Sequence, residues 1–167
     1  MSRAKLVREH AARESVISPM AEADLREIGE IERTTGLSIW GEEAYRAELE
    51  KGNSIMLVAV SAAREFDAEQ QRRVSGFIVA RVTADEVHIN NVAVREGARG
   101  QGLGSLLLAA ALDQAKRARA QMAVLEVRAS NRAAQMLYVK HNFVVAGRRR
   151  NYYKTPPEDA LVMTAAL

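Results

Sequence analysis

The hydrophobic pattern of the chain switches repeatedly between a helical and a strand period. From Ser18 to Thr35 a serine and a proline suited to a helix start precede apolar residues at Leu25, Ile28 and Ile31, which predicts an amphipathic helix. A second helix is predicted over 41–50, after Ile39 and Trp40 and closed by Gly52 and Asn53. Continuous apolar runs at 55–60 (IMLVAV) and 74–82 (VSGFIVARV) have strand length. The polar stretch SAAREFDAEQQRR between them makes the pair a hairpin with a long mobile loop over 61–73. Further strands are predicted at 86–94, 122–128, 142–146 and 159–165, and helices at 102–119 and 131–141. Late alternation of strand, helix and strand implies an α/β fold with a mixed sheet covered on both faces.

Composition narrows the function classes. A chain of 167 residues, 48% hydrophobic, makes one domain over 16–167, preceded by a charged extension at 1–15. Its apolar runs are far shorter than a membrane span needs, and the first residues are too charged for a secretory leader, so a cytoplasmic protein is expected. With no cysteine there is no disulfide, thiolate metal site or cysteine nucleophile. His10, His88 and His141 are scattered, so no metal is expected. A net charge of +3 suits an anionic cofactor or a ribosomal partner and gives no reason to expect direct nucleic-acid binding.

The densest chemistry lies in HINNVAVREGARGQGLGSLLL, residues 88–108, with glycines at 97, 100, 102 and 104 between a strand and a helix. Glycines permit positive φ and close approach, and the free amides of the helix start face outward as a pyrophosphate cradle. A glycine-rich surface turn is the plainer alternative. A P-loop is excluded because no Gly-Lys-Ser or Gly-Lys-Thr follows. A dinucleotide fold gains from Glu126, about twenty residues past the last glycine, but the spacing is Gly-x-Gly-x-Gly and about forty residues remain for the second half.

A second constellation follows. In MAVLEVR, residues 122–128, alternation puts Val124, Glu126 and Arg128 on one face, so Glu126 is either a general base among apolar neighbours or a partner of Arg128. Asn131 can cap the helix from Arg132, and Tyr138 lies two turns on, near the same face. Core packing for Tyr138 and capping alone for Asn131 are the simpler roles. Trp40, Tyr152 and Tyr153 are candidate walls of a peptide groove, and Arg148 to Arg150 form a solvated basic turn.

Arg99-x-x-Gly102-x-Gly104 resembles the coenzyme A loop of the Gcn5-related N-acetyltransferases (GNAT). LEVRASN, AAQMLYVKHNF, GRRRNYY and EDALVM resemble the branch of that family that acetylates the amino-terminal alanine of ribosomal protein S18. The resemblance covers about residues 16–165. It implies the GNAT fold, a mixed, mostly antiparallel sheet whose fourth and fifth strands splay apart to admit acetyl-coenzyme A (acetyl-CoA). It implies Glu126 as general base and Tyr138 as general acid. It implies cofactor contacts from Val92, Ala93, Val94, Arg99, Gly100, Gln101, Gly102, Leu103, Gly104, Ser105 and Asn131. Departures are Ile39-Trp40-Gly41 where the family often has a Pro-Trp-Ser element, the long 61–73 loop, and His141-Asn142 in place of Leu-Gly.

The expected activity is direct acetyl transfer to the α-amine of a protein amino terminus. An α-amine, with a pKa of about 8 against about 10.4 for lysine, is within reach of a carboxylate base. Transfer to lysine or small amines, and a non-catalytic acyl-CoA-binding or ribosome-docking module, are the alternatives.

Overall fold

The computed structural model describes residues 15–37, 39–61 and 73–167. The extension at 1–15 and the loop at 61–73 lie, except for their end residues, outside the described residues. Seven strands form one sheet in the order β1-β2-β3-β4-β5-β7-β6. They are β1 (Ser15–Pro19), β2 (Ser54–Ser61), β3 (Val74–Thr83), β4 (Glu86–Val94), β5 (Met122–Arg128), β6 (Val144–Lys154) and β7 (Pro157–Ala166). Only β4 and β5 run parallel. The helices are α1 (Leu25–Thr35), α2 (Glu42–Leu49), α3 (Leu103–Arg117) and α4 (Arg132–Lys140).

The sheet is buried on both faces around β2 and β3, which is why those two strands read as unbroken apolar runs. On one face Leu107, Leu108 and Ala111 of α3 pack on Leu57, Ile78 and Ile89, and Tyr138 and Phe143 join the same cluster. On the other, Leu25, Ile28 and Ile31 of α1 and Tyr45 of α2 pack on Met56, Val58, Phe77 and Val79.

Two expectations change. The helix predicted from Ser18 begins instead at Leu25, after a short 3-10 turn at Glu22–Asp24. Ser15–Pro19 is an edge strand, paired with β2 from Ser15↔Ser61 to Pro19↔Leu57. Serine and proline suit a helix start and an edge-strand end alike, and the partner strand decides between them. Asp24 anchors the helix entry instead, its Oδ2 accepting from the Ala21 amide at 2.8 Å. At the other end, the strand predicted at 142–146 extends through Lys154. β6 runs past three arginines because it is an edge strand, paired along one side only, with β7.

Buried polar groups tie the layers together. Glu48 of α2, with 2% of its side chain exposed, accepts from Lys51 Nζ at 2.8 Å and Arg81 Nε at 3.0 Å, with Ser54 Oγ and Arg81 Nη2 also donating. Burial alone would raise its pKa, but the donors, Arg81 first, hold it at about 2. Its folded pKa therefore lies below the ordinary value of 4.5, so the stabilisation is complete above that value and is lost as pH falls towards 2. Glu48→Gln is expected to cost about 2 kcal/mol at neutral pH and to flatten the acid dependence through that window. Urea unfolding of both proteins at neutral and acid pH measures it.

Candidate active site

The site is made by a fork in the sheet. β4 pairs with β5 over four residues, from Glu86↔Met122 to Ile89↔Leu125, and with β3 along its whole length. Beyond Ile89 the two parallel strands part. Asn90 is the extra residue of a bulge, since Val79 faces Asn91 while Ala80 faces Ile89. A bulge bends the strand that carries it.

Buried anchors fix β4 on the α1 and α2 side. Asn91 Nδ2 donates to Tyr45 Oη at 2.9 Å, and that hydroxyl donates to Glu32 Oε1 at 2.8 Å. Glu32 also accepts from the amides of Trp40 at 2.7 Å and Gly41 at 3.2 Å, fixing the α1–α2 loop. Trp40 stacks on Tyr45 with ring centroids 5.4 Å apart. Burial, then the Glu32 carboxylate, pushes the Tyr45 phenol far above its ordinary pKa, so it stays a donor.

On the opposite side of the fork lies a cavity of about 840 Å³ lined by Val92, Ala93, Val94, Arg99, Gly100, Gly102, Leu103, Gly104, Ser105 and Asn131, with Lys140 of α4. Gly100 and Gly102 hold φ of +74° and +83°, a region open to glycine. No described protein group accepts from the amides of residues 100–104. Five free amides at the positive end of α3, with Arg99 and Lys140 nearby, fit the diphosphate of a nucleotide cofactor. Gly104 lets α4 close in: a Cβ there would lie 3.3 Å from Leu137 Cδ2. Of the expected loop residues, Gln101 alone does not line the cavity, its side chain donating back to Gly97 O at 3.4 Å. Ser105 Oγ lies 2.6 Å from His141 Nε2, and burial lowers the pKa of that imidazole.

A smaller cavity of about 220 Å³ holds Glu126, Tyr138 and Asn131 together with Trp40, Tyr152 and Tyr153. The two cavities share Thr35, Val92, Asn131 and Ala134, so they meet across the fork. Asn131 does cap α4, accepting from the Ala134 amide at 3.1 Å. Tyr138 is buried, and that burial, followed by the field of Tyr153, raises its phenol pKa beyond the ordinary range. No described group bonds its hydroxyl and no fully buried side-chain polar atom lacks a partner, so the hydroxyl reaches the cavity.

Glu126 has neither of the environments read from its neighbours. Arg128 turns away to Glu158 at 3.2 Å and to the carbonyls of Thr155 and Pro156. Glu126, 8% exposed, is instead held by His88 Nε2 at 2.6 Å on Oε2 and Arg149 Nη2 at 3.2 Å on Oε1. Arg149 is thus not simply part of a solvated turn. It reaches the site because β6 bulges between Arg149 and Tyr153, where Asp159 accepts from the Asn151 amide at 2.8 Å and from Arg148 Nε at 2.7 Å. Burial, then the neighbouring Tyr152, pushes the Tyr153 phenol up to about 12, with Arg128 4.1 Å from its ring centroid. His88 and Arg149 carry no local sequence signal: both meet Glu126 only through strand pairing. Among the described residues no group of His, Asp or Glu is arranged to hold a metal, and no helix is long and apolar enough to cross a membrane.

Residues 25–143 match the Acetyltransferase (GNAT) family. The [ribosomal protein bS18]-alanine N-acetyltransferase of Escherichia coli K12 is 32% identical over 151 residues, covering 89% of this chain and 95% of that one. The crystal structure of the ribosomal-protein-S18-alanine N-acetyltransferase from Escherichia coli superposes with a TM-score of 0.76 at 28% identity, covering 91% of this chain and 93% of that one. Ard1 from Thermoplasma volcanium superposes with a TM-score of 0.78 at 25% identity, over 92% and 98% of the two chains. With the forked sheet and the free-amide cradle that the fold places beside it, this chain belongs to the GNAT family and is an N-acetyltransferase with acetyl-CoA as its acetyl donor.

Proposed function

We propose that this protein is a cytoplasmic enzyme that acetylates the amino-terminal α-amine of a protein, with the alanine of ribosomal protein bS18 as its substrate. The observation that carries this reading is the placement of Glu126 and Tyr138 on one small cavity that opens, past Asn131, into the cavity of the glycine loop. The similarity to the Escherichia coli bS18-alanine enzyme along nearly the whole chain supports the choice of substrate.

The free amides of 100–104 and the Arg99 side chain bind the diphosphate. The unpaired edge of β4, from Val92 to Val94, aligns the arm that leads to the reacting carbon, and one of its amides polarises the carbonyl. Acetyl-CoA brings the acetyl group as a thioester. Glu126 takes a proton from the incoming amine, with Oε1 and Oε2 steadied by Arg149 and His88. Tyr138 gives its proton to the departing sulfur, and its raised pKa keeps that proton in place until it is needed. Trp40, Tyr152 and Tyr153 border the amine side, where an extended chain end can enter between the α1–α2 loop and β6.

A panel of peptides beginning with alanine or serine, and of peptides with a blocked amino terminus and an internal lysine, is expected to gain an acetyl group at the free amino terminus only, read by mass spectrometry. Acetylation confined to lysine would overturn the reading. Gly102→Ala forces a side chain into a φ of +83° and tilts the cradle amides, so the Kd for acetyl-CoA is expected to rise about tenfold by calorimetry. Tyr138→Phe is expected to lower kcat about 100-fold with that Kd unchanged. Because the phenol pKa is raised, the protonated donor persists through pH 10, and the wild-type kcat is expected to show no alkaline loss below that pH.

A further inference from the structure

Acetylation of an amine requires more proton traffic on the nitrogen side than one carboxylate handles. The nitrogen pair forms the C–N bond and the C–S pair leaves on sulfur. An ammonium begins with three protons and the amide keeps one. Of the two that leave, one ends on the thiol through Tyr138 and one must reach bulk water. Glu126 is 8% exposed, with Oε1 on Arg149 and Oε2 on His88, so its own path to water is narrow.

His88 stands across that path. Its Nε2 lies 2.6 Å from Glu126 Oε2, its side chain is 46% exposed, and it lines the same small cavity. An imidazole can accept a proton at one ring nitrogen and release one at the other, which a carboxylate in a closed pocket cannot do towards solvent. The pairing is fixed by the fold: His88 faces Val124 in the last stretch of parallel register, one strand repeat before Glu126. The other charged or titratable groups around the pair are committed elsewhere or lack this exchange. Arg81, opposite His88 on β3, is drawn to Glu48, while Arg128 is held by Glu158. Arg149, Tyr152 and Tyr153 of β6 and Tyr138 of α4 face the cavity or Glu126 as donors, and Glu86 lies two residues back on β4.

We propose that His88 is the proton relay of this active site: with its resting proton on Nδ1, it takes at Nε2 the proton that Glu126 removes from the amine as Nδ1 releases its own to water, and exchange with water then returns the ring to the Nδ1–H tautomer, with net release of one proton per turnover. The inference rests on Glu126 as the base. Aspartate or glutamate at position 88 would repel Glu126, so the informative variants are neutral. His88→Gln keeps a hydrogen-bonding group beside Glu126 but cannot exchange protons, and His88→Ala removes both functions.

The test uses whichever amine the wild-type protein acetylates fastest, so that a wrong choice of substrate leaves it standing. Both variants are expected to lose about tenfold in kcat with the KM for acetyl-CoA unchanged. Added imidazole is expected to restore His88→Ala, and raised buffer concentration to speed both variants but not the wild type. Full activity in His88→Gln would reduce His88 to a hydrogen-bond support and overturn the relay, as would a loss in both variants that neither imidazole nor buffer relieves. Glu126→Gln is the separate control: unchanged activity there would refute the base assignment itself, whatever His88 does.

Discussion

Everything the two cavities hold depends on the parting of β4 from β5 after Ile89 and Leu125. In a closed sheet the edge of β4 from Asn90 to Val94 would be consumed by strand pairing. Here the edge stays free of strand pairing next to the free amides of the glycine loop, with the Val94 carbonyl accepting from Arg99 Nε at 3.1 Å. Leaving backbone unpaired inside a protein is unfavourable without a polar partner. The fork survives because each arm is secured from its other side: β4 by β3, Asn91 and the Glu32 network, and β5 by seven register pairs with β7. Arg95, at the end of β4, adds ion pairs to Glu27 at 2.9 Å and Glu30 at 3.6 Å of α1, fixing the entry to the loop.

Charge is placed in the fork with the same economy. Glu126 projects from the paired arm towards the gap and is met by His88 from β4 and Arg149 from β6. The Arg149 contact depends on an edge strand with a bulge, and the bulge depends on Asp159. The hydrogen bond from Asn151, then those from Arg148, holds the Asp159 carboxyl below its usual range. The basic run Arg148 to Arg150 therefore has divided duties, with Arg148 shaping the bulge and Arg149 reaching the carboxylate.

Features carried by local rules were legible in the sequence. The glycine loop, Asn131 as a cap, the two-turn spacing to Tyr138 and the alternation in β5 follow from φ preferences, cap chemistry and period. The expected loop residues line one cavity, except Gln101, while Glu126 and Tyr138 share the second. What stayed hidden depends on pairing across the sheet. Ser15–Pro19 has helix-start residues and becomes a strand because β2 offers an edge. The partners of Glu126 lie 38 residues before it and 23 after it, on strands whose register no short motif encodes. Arg128, the partner suggested by alternation, was captured by Glu158 and two carbonyls instead.

The two walls of the fork are therefore built on different principles. The wall proposed for acetyl-CoA is built mainly on one continuous segment, from Val92 to Ser105, whose backbone is placed by glycines and by the packing of α3, and it is closed by Asn131 and by α4 through Leu137 and Lys140. The wall proposed for the amine gathers side chains from the α1–α2 loop, β4, β5, α4 and β6, placed by different supports: Glu32 for Trp40, the parallel register for His88, Asp159 for the β6 bulge. The Glu32 network bears on both Trp40 and β4, while Asp159 bears on β6 alone. The departure at Ile39-Trp40-Gly41 accordingly bears on the cavity of Glu126 and Tyr138, which Trp40 lines, and not on the glycine-loop cavity.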